Sequence, residues 1–224
     1  MAQMTDKRMV VELDQVNTVA NRFLAELRDV DVQKDPLRFR RNLERMGEVF
    51  AYELSKTLDY EEREVVSPLG VANVRLPADQ PVLCTILRAG LPLHQGLLNY
   101  FDRADNAFVS AYRKHRKGED GFDVEVEYLS SPSIDDRVLI ISDPMLASGR
   151  SMVLVYKAML RMGKPKAIHV VSVIASTEGV EYVKKHFPPN TRFWLGAVDE
   201  EMTAEAYIVP GLGDAGDLAY GCKV

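Results

Sequence analysis

A combination of acidic and small polar residues follows an apolar run at residues 138–141, in a spacing suited to binding an anion. Asp143 and Pro144 follow the run after Ser142, and residues 147–151, small except for Arg150, precede an amphipathic segment that ends at Gly163. The run predicts a strand covered on both faces of a sheet, and the amphipathic segment predicts a helix. Because the N-terminus of a helix presents unpaired N–H groups and a positive dipole end, this junction is expected to hold a phosphate.

Basic residues follow two other predicted strands. Arg88 and Gly90 come after a strand predicted at residues 82–87, and four full positive charges and a histidine at residues 113–117 follow a strand predicted at residues 108–112. A charge run of this kind is most often a solvated loop. This run, however, follows a predicted strand, as do two other segments with features of a ligand-binding site. Its position therefore favours a site for a polyanionic small molecule.

A glycine-rich segment near the C-terminus is the fourth candidate. Residues 211–217 read GLGDAGD and follow Pro210. Taken alone, the segment predicts a tight loop whose aspartates accept hydrogen bonds from neighbouring backbone groups. Its three glycines have G-x-G-x-x-G spacing, but no strand–turn–helix unit of a βαβ fold is predicted around them, so a dinucleotide-binding fingerprint is not predicted. The sequence contains no P-loop, no H-E-x-x-H and no G-x-S-x-G motif.

The N-terminal third is predicted to be mostly helical, with a helix at residues 17–27 and a longer one after it. Asp35 and Pro36 form a helix start, with a capping side chain and proline in the first turn. An apolar stripe then recurs at three- and four-residue steps, at Phe39, Leu43, Met46, Phe50, Leu54 and Leu58. The stripe predicts core packing, with a subunit interface as a second possible use. A small hairpin is predicted at residues 63–76.

From Pro81 onward, predicted strands and helices alternate along the chain. Strands are predicted at 82–87, 108–112, 124–129, 138–142, 167–174 and 192–198, with further helices at 91–100 and 177–186. This order predicts an α/β fold with a mostly parallel sheet and helices on both faces. Ligands of such sheets bind beyond the carboxyl ends of the strands. No repeat or linker divides the chain, so residues 1–224 are predicted to form a single domain.

Composition narrows the class of protein. The chain has 224 residues, a net charge of −5 and 46% hydrophobic residues, which is ordinary for a globular protein and argues against nucleic-acid or membrane partners. Its two cysteines cannot form a disulfide framework or a cysteine zinc site. Without a signal peptide or an apolar run of membrane-spanning length, the chain is expected to be cytoplasmic.

Four segments together resemble the uracil phosphoribosyltransferase family, in the family's order along the chain. They are ILRAGLPL (86–93), AYRKHR (111–116), ISDPMLASGRS (141–151) and YIVPGLGDAGD (207–217), and the last separates this family from other phosphoribosyltransferases. Two departures stand out. Arg150 occupies a position where the family usually has glycine, and Cys222 follows Gly221 where a threonine is usual.

The resemblance implies a phosphoribosyltransferase-like fold with an N-terminal helical extension (about 1–60) and a C-terminal hood (about 199–224). It implies transfer of the phosphoribosyl group of phosphoribosyl pyrophosphate (PRPP) to uracil, giving UMP and pyrophosphate in pyrimidine salvage. Magnesium would be bound through the pyrophosphate rather than by a protein ligand set. GTP is implied as a possible effector, and a homodimer or larger homo-oligomer is expected.

The resemblance also assigns roles to individual residues. The catalytic residues would be Asp143, Arg113 and Asp214. PRPP would be bound by Arg88, Arg113, Asp143, Pro144, Met145, Leu146, Ala147, Ser148, Gly149, Arg150, Ser151 and Asp214. Uracil would be bound by Ile208, Gly213, Asp214 and Ala215.

Two other functions stay open at this point. One is a regulator built on the same fold that binds nucleotide or RNA with little catalysis, against which the acidic net charge and the intact hood argue. The other is a phosphoribosyltransferase for another base.

Overall fold

The computed structural model describes residues 10–115 and 122–222, with side chains described outside residues 111–125. The strands are β1 (Val10–Glu12), β2 (Tyr60–Ser67), β3 (Gly70–Pro77), β4 (Val82–Leu87), β5 (Asp105–His115), β6 (Phe122–Ser130), β7 (Val138–Ser142), β8 (Met145–Leu146), β9 (Ala167–Ser176), β10 (Arg192–Asp199), β11 (Glu201–Met202) and β12 (Ile208–Val209). The α-helices are α1 (Ala20–Arg28), α2 (Pro36–Ser55), α3 (Gly90–Tyr100), α4 (Arg150–Met159), α5 (Thr177–His186) and α6 (Ala215–Tyr220).

The central sheet has the order β1-β10-β9-β7-β4-β5-β6, and β8 pairs with the far end of β9. Neighbouring strands are parallel except β5 and β6, which pair antiparallel at one edge. Successive residues of the buried strands point to opposite faces: Leu83 and Ile140 enter one apolar cluster, and Cys84 and Ile141 enter the other. The predicted α/β fold with a mostly parallel sheet is confirmed.

Helices cover both faces of this sheet. Helices α1, α2 and α3 pack on one face, and α4 and α5 pack on the other. Asp35 caps α2 as predicted, accepting hydrogen bonds from the N–H groups of Leu37 and Arg38. Close packing of α2 on α3 depends on two glycines: a Cβ on Gly47 would overlap the Leu93 carbonyl oxygen, and one on Gly96 that of Glu44.

The apolar stripe of α2 belongs to the core of the chain itself. Its members from Phe39 to Leu54 are at most 1% exposed, and Leu58 is partly buried just beyond the helix end. The second use considered for the stripe, a subunit interface, is therefore wrong, because these side chains already pack against neighbouring elements of the same chain.

The hairpin and the strand that carries the basic segment differ in how well the sequence predicted them. The predicted small hairpin is confirmed as β2 and β3, which pair antiparallel from Tyr60–Pro77 to Ser67–Gly70. The strand predicted to stop at Tyr112 instead continues to His115, so the start of the basic segment lies in a strand rather than in a loop. The reason is antiparallel pairing with β6, in which Arg113 lies opposite Val124. Among the described residues, no helix has the length and apolar character needed to cross a membrane.

Candidate active site

A cleft of about 190 Å³ lies beyond the carboxyl ends of the neighbouring strands β4 and β7. Three segments line it: the turn after β4, the segment from β7 into α4, and the hood. Parallel strands end at the same edge of a sheet, which brings together segments that lie far apart in the sequence. The lining residues are Ile86, Leu87, Arg88, Ala89, Asp143, Met145, Leu146, Ala147, Ser148, Gly149, Ser151, Met152, Ala206, Tyr207, Ile208, Gly213, Asp214, Ala215 and Gly216.

Asp143 places a half-buried carboxyl group at the end of β7. Its own N–H donates to the Val171 carbonyl at 3.1 Å, which fixes its backbone to β9. Burial raises the pKa of the Asp143 carboxyl to about 7, and the hydrogen bond from the Met145 N–H, 3.2 Å from Oδ1, opposes the shift only in part. A carboxyl group with this pKa changes its charge near neutral pH.

The segment between Asp143 and α4 is tied to the protein by its carbonyl groups. The Pro144 carbonyl accepts from the N–H groups of Val173 and Ile174, at 3.2 and 3.0 Å. The Ala147 carbonyl accepts from the Ser176 hydroxyl at 2.7 Å. Since the carbonyl oxygens of Pro144 and Ala147 are directed into the protein, they do not repel an anion in the cleft.

Helix α4 begins at this segment with Gly149, whose φ is +73°, and with no side-chain cap. Glycine adopts this left-handed conformation without steric cost. A Cβ on Gly149 would lie 2.7 Å from Val183 Cγ2 and 2.9 Å from the Gly179 carbonyl oxygen, so there is no room for a side chain. An uncapped helix start beside the hydroxyls of Ser148 and Ser151 offers donors and a positive dipole end to an anionic group.

Arg88 supplies a positive side chain to the cleft. One of its terminal nitrogens, Nη2, donates to Asp217 Oδ1 and to the Gly221 carbonyl, each at 3.2 Å. Its Nε is buried without a hydrogen-bond partner among the described residues. The guanidinium is therefore held at the edge of the hood, where it brings positive charge to the cleft.

The hood covers the cleft opposite the start of α4. Its strands β11 and β12 pair antiparallel, which brings Ile208 inward, where it is 3% exposed. Gly213 has a φ of +88°, and Asp214 caps α6 by accepting from the Asp217 N–H at 3.0 Å. The GLGDAGD segment is therefore a turn that leads into a short helix, whereas the sequence alone predicted only a tight loop.

Most of the residues singled out from the sequence line this one cleft. Pro144 and Arg150 do not: Pro144 is buried behind the segment that its carbonyl ties to β9, and Arg150 is exposed on α4. The side chain of Arg113 lies outside the described residues, as do Arg116 and Lys117 entirely.

Seven lining residues are absent from the predicted set: Ile86, Leu87, Ala89, Met152, Ala206, Tyr207 and Gly216. Most are apolar or small, and the chemistry of their side chains gives no signal for a site. All seven nevertheless lie within the quoted motifs or, for Met152 and Ala206, directly beside one, so position in a motif was the available signal.

Among the described residues, no cluster of three or more histidine, cysteine, aspartate or glutamate side chains forms a metal site. The carboxylates that line the cleft are Asp143 and Asp214. Mg²⁺ commonly binds one or two carboxylates together with water and substrate phosphates, so these residues fit a metal that arrives with a phosphorylated substrate.

Comparisons with known proteins identify the family of the chain. The family described as uracil phosphoribosyltransferase matches residues 16–222. A uracil phosphoribosyltransferase of Porphyromonas gingivalis is 56% identical, over 96% of this chain and 99% of its own length. One from Thermococcus gammatolerans is 38% identical, over 90% of this chain and 88% of its own length. The solved structure of the AQ2163 protein from Aquifex aeolicus has a TM-score of 0.84 and 27% identity, over 96% of this chain and 99% of that chain. The chain belongs to the uracil phosphoribosyltransferase family.

Proposed function

We propose that the cleft binds PRPP and uracil and transfers the phosphoribosyl group to the base, giving UMP and pyrophosphate in pyrimidine salvage. The observation that carries this proposal is one cleft holding an uncapped helix start, a half-buried carboxyl group and an arginine, closed on its far side by the hood. These groups match a ligand with a phosphate at one end, ribose hydroxyls in its middle and a pyrophosphate beside them.

Electrostatic stabilisation is the main task of the protein in this reaction. Breaking the bond between ribose C1 and pyrophosphate develops positive charge on the ribose and negative charge on the leaving group. Arg88, together with Arg113 on β5, is assigned to the pyrophosphate. The ionised Asp143 carboxylate accepts hydrogen bonds from the ribose hydroxyls, next to the developing positive charge.

The start of α4 is assigned to the 5′-phosphate. Backbone N–H groups of residues 147–151 and the hydroxyls of Ser148 and Ser151 surround an oxygen-rich anion, and the helix dipole favours its charge. The ties of Pro144 and Ala147 to β9 and Ser176 hold this segment in place before the substrate arrives.

The hood is assigned to the base. Backbone groups of Ile208, Gly213 and Ala215 would read the paired donors and acceptors of uracil, while Asp214 lies on the pyrophosphate side. Backbone readout suits a small base, because donors and acceptors on the main chain are held at fixed positions by the turn and α6.

Magnesium is the implied cofactor. When bound with PRPP, Mg²⁺ would neutralise charge on the pyrophosphate oxygens. The carboxylates proposed to lie near it are Asp214, beside the pyrophosphate, and Asp143, beside the ribose. The residues of this chain then orient the ribose, hold the 5′-phosphate and exclude water from the base.

The test is UMP formation by the purified protein from uracil and PRPP, with Mg²⁺ present and after its removal by EDTA. We expect UMP and pyrophosphate in equal amounts with Mg²⁺, and a large loss of rate in EDTA. Absence of any UMP would overturn the proposal. Tight, salt-sensitive RNA binding in the same preparation would then favour a regulator.

We further propose that the protein forms a homodimer or larger homo-oligomer. The contact between subunits is proposed to lie on a different surface from the α2 stripe. The tip of the hairpin formed by β2 and β3 carries Val66, Leu69 and Val71, which are 84%, 99% and 63% exposed. Apolar side chains clustered this way are typical of contact surfaces between proteins. Multi-angle light scattering gives the mass directly, and a monomeric mass of 25.2 kDa at micromolar concentration would contradict this proposal.

Two other expectations belong to the same proposal. GTP is proposed as an effector, and the initial rate of UMP formation with and without GTP at subsaturating PRPP is the measurement. A cytoplasmic location is proposed because Cys84 and Cys222 are both free thiols, as is usual in a reducing compartment. Recovery of the protein in the cytosolic fraction of its own cells would support that location, and recovery with membranes would contradict it.

A further inference from the structure

A partly buried ion pair joins the N-terminal helical extension to the start of the hood. Arg28, the last residue of α1, donates from both terminal nitrogens to the two oxygens of Asp199, each at 2.7 Å. The Asp199 side chain is 8% exposed and that of Arg28 is 26% exposed. Two parallel charge-assisted bonds of this kind fix orientation as well as distance.

The same pair holds one residue of the hood from both sides. The Gly211 N–H donates to Asp199 Oδ2 at 2.8 Å, and the Gly211 carbonyl accepts from Arg28 Nη1 at 3.0 Å. Burial works against the charge of Asp199, yet the bonds from Arg28 and Gly211 keep the pKa of its carboxyl below the ordinary value. Asp199 therefore stays ionised at neutral pH and keeps both contacts.

Gly211 is the tightest point of the turn that carries the proposed uracil contacts. Its φ is +55°, and a Cβ there would overlap the Ile208 carbonyl oxygen. Ile208 lies three residues before it and Gly213 two residues after it, and both line the cleft. A shift of Gly211 would therefore move the backbone groups on both sides of the base.

We propose that Arg28 and Asp199 are positioning residues for the base-binding half of the site, acting through Gly211 on Ile208 and Gly213. This inference rests on the proposed function, in which those backbone groups bind uracil. It assigns a task to α1: the helix sets the geometry of the hood although neither Arg28 nor Asp199 lines the cleft. The start of α4, which is assigned to PRPP, has no contact with this pair among the hydrogen bonds of the described residues.

The experiment compares the Michaelis constants for the two substrates in Arg28→Lys and Asp199→Asn. Lysine keeps the charge but cannot reproduce the two parallel bonds and the bond to Gly211, while asparagine keeps the shape of Asp199 without its charge. We expect the KM for uracil to rise by about tenfold or more, as loss of a charge-assisted hydrogen bond predicts, with the KM for PRPP changed by less than about twofold.

Arg38→Lys is the matched control. Arg38 donates two bonds to Glu26 at 2.9 and 3.2 Å, linking α2 to the same helix α1, and among the described residues its side chain makes no hydrogen bond to the hood. A general loss of stability in the N-terminal extension would affect this variant similarly. We therefore expect both of its Michaelis constants to stay near those of the wild type.

The outcomes separate this inference from the proposed function. Equal changes in the two KM values, no change in either, or the same uracil effect in Arg38→Lys would each overturn the positioning role. Asp199→Asn provides the comparison if Arg28→Lys does not fold, as judged by its thermal unfolding. Failure of the wild type to form UMP would instead overturn the proposed function itself.

Discussion

Asp143→Asn removes the charge that the structure buries at the end of β7, and it should separate activity from stability. The amide oxygen can still accept the bond from the Met145 N–H, so the local backbone is expected to stay in place. The variant loses the carboxylate that accepts from the ribose hydroxyls. We expect kcat/KM for PRPP to fall by at least about tenfold at pH 8, from the loss of charge-assisted hydrogen bonds.

The stability of the same variant should change in the opposite direction. The pKa of Asp143 is raised to about 7 in the folded protein, above the ordinary 3.8. The folded state therefore binds a proton more tightly than the unfolded state, and stability falls as pH rises from about 4 to about 7, by at most about 1.4 kcal/mol per pH unit. Asparagine does not ionise, so Asp143→Asn should be more stable than the wild type at pH 8, with a difference that shrinks toward pH 4.

Urea unfolding of both proteins from pH 5 to pH 8, together with kcat/KM for PRPP over the same range, measures both effects. The wild-type kcat/KM should decline below about pH 7, because it reports the ionisation of the free enzyme. PRPP itself ionises in this pH range, and it does so with either protein. The pH dependence of kcat/KM in the variant therefore shows the contribution of the substrate alone. An equal decline in both proteins, or a variant less stable than the wild type at pH 8, would refute this account of Asp143.

Three other substitutions test the parts that position the site. Gly149→Ala should lower stability by about 2 kcal/mol or more, because alanine at a left-handed φ is strained and its Cβ meets the Gly179 carbonyl; urea unfolding and the KM for PRPP, which should rise, are the measurements. Ser176→Ala removes both the bond to the Ala147 carbonyl and the cap of α5. We expect the free energy of unfolding to fall by about 1–2 kcal/mol and the KM for PRPP to exceed that of the wild type. An unchanged KM would contradict the role given to the bond between Ser176 and Ala147. Gly96→Ala should cost about 2 kcal/mol by forcing α3 away from α2. Because Gly96 does not line the cleft, a selective change in either KM would argue against a role in helix packing alone.

The positions of most strands and of the segment proposed to bind phosphate could be predicted because their signals are local. The apolar run of β7 has the length and bounds of the observed strand, and Asp143 and Gly149 lie where a strand ends and a helix begins. Parallel strands end at a common edge, so Arg88 and Asp143 could also be expected to lie near each other. These two rules locate Arg88 and the segment after β7, whereas the roles of the individual residues and the use of the hood for uracil are implied only by the family resemblance.

The parts that could not be predicted depend on pairing between distant segments. The extension of β5 to His115 comes from antiparallel pairing with β6, and the α2 stripe is identified as core only by the elements that cover it. The Arg28–Asp199 pair joins residues 171 positions apart and belongs to no motif. Apolar lining residues such as Met152 could not be predicted, because only the folded backbone brings their side chains to the cleft and their chemistry gives no signal in the sequence.

Base selectivity is the most direct test of the proposal that the cleft transfers the phosphoribosyl group to uracil. The purified wild type is incubated with PRPP, Mg²⁺ and equal concentrations of uracil, cytosine, hypoxanthine and adenine, and the nucleotides formed are identified by mass spectrometry. We expect UMP as the dominant product, accumulating with pyrophosphate. A predominance of CMP, IMP or AMP, or no nucleotide at all, would contradict it.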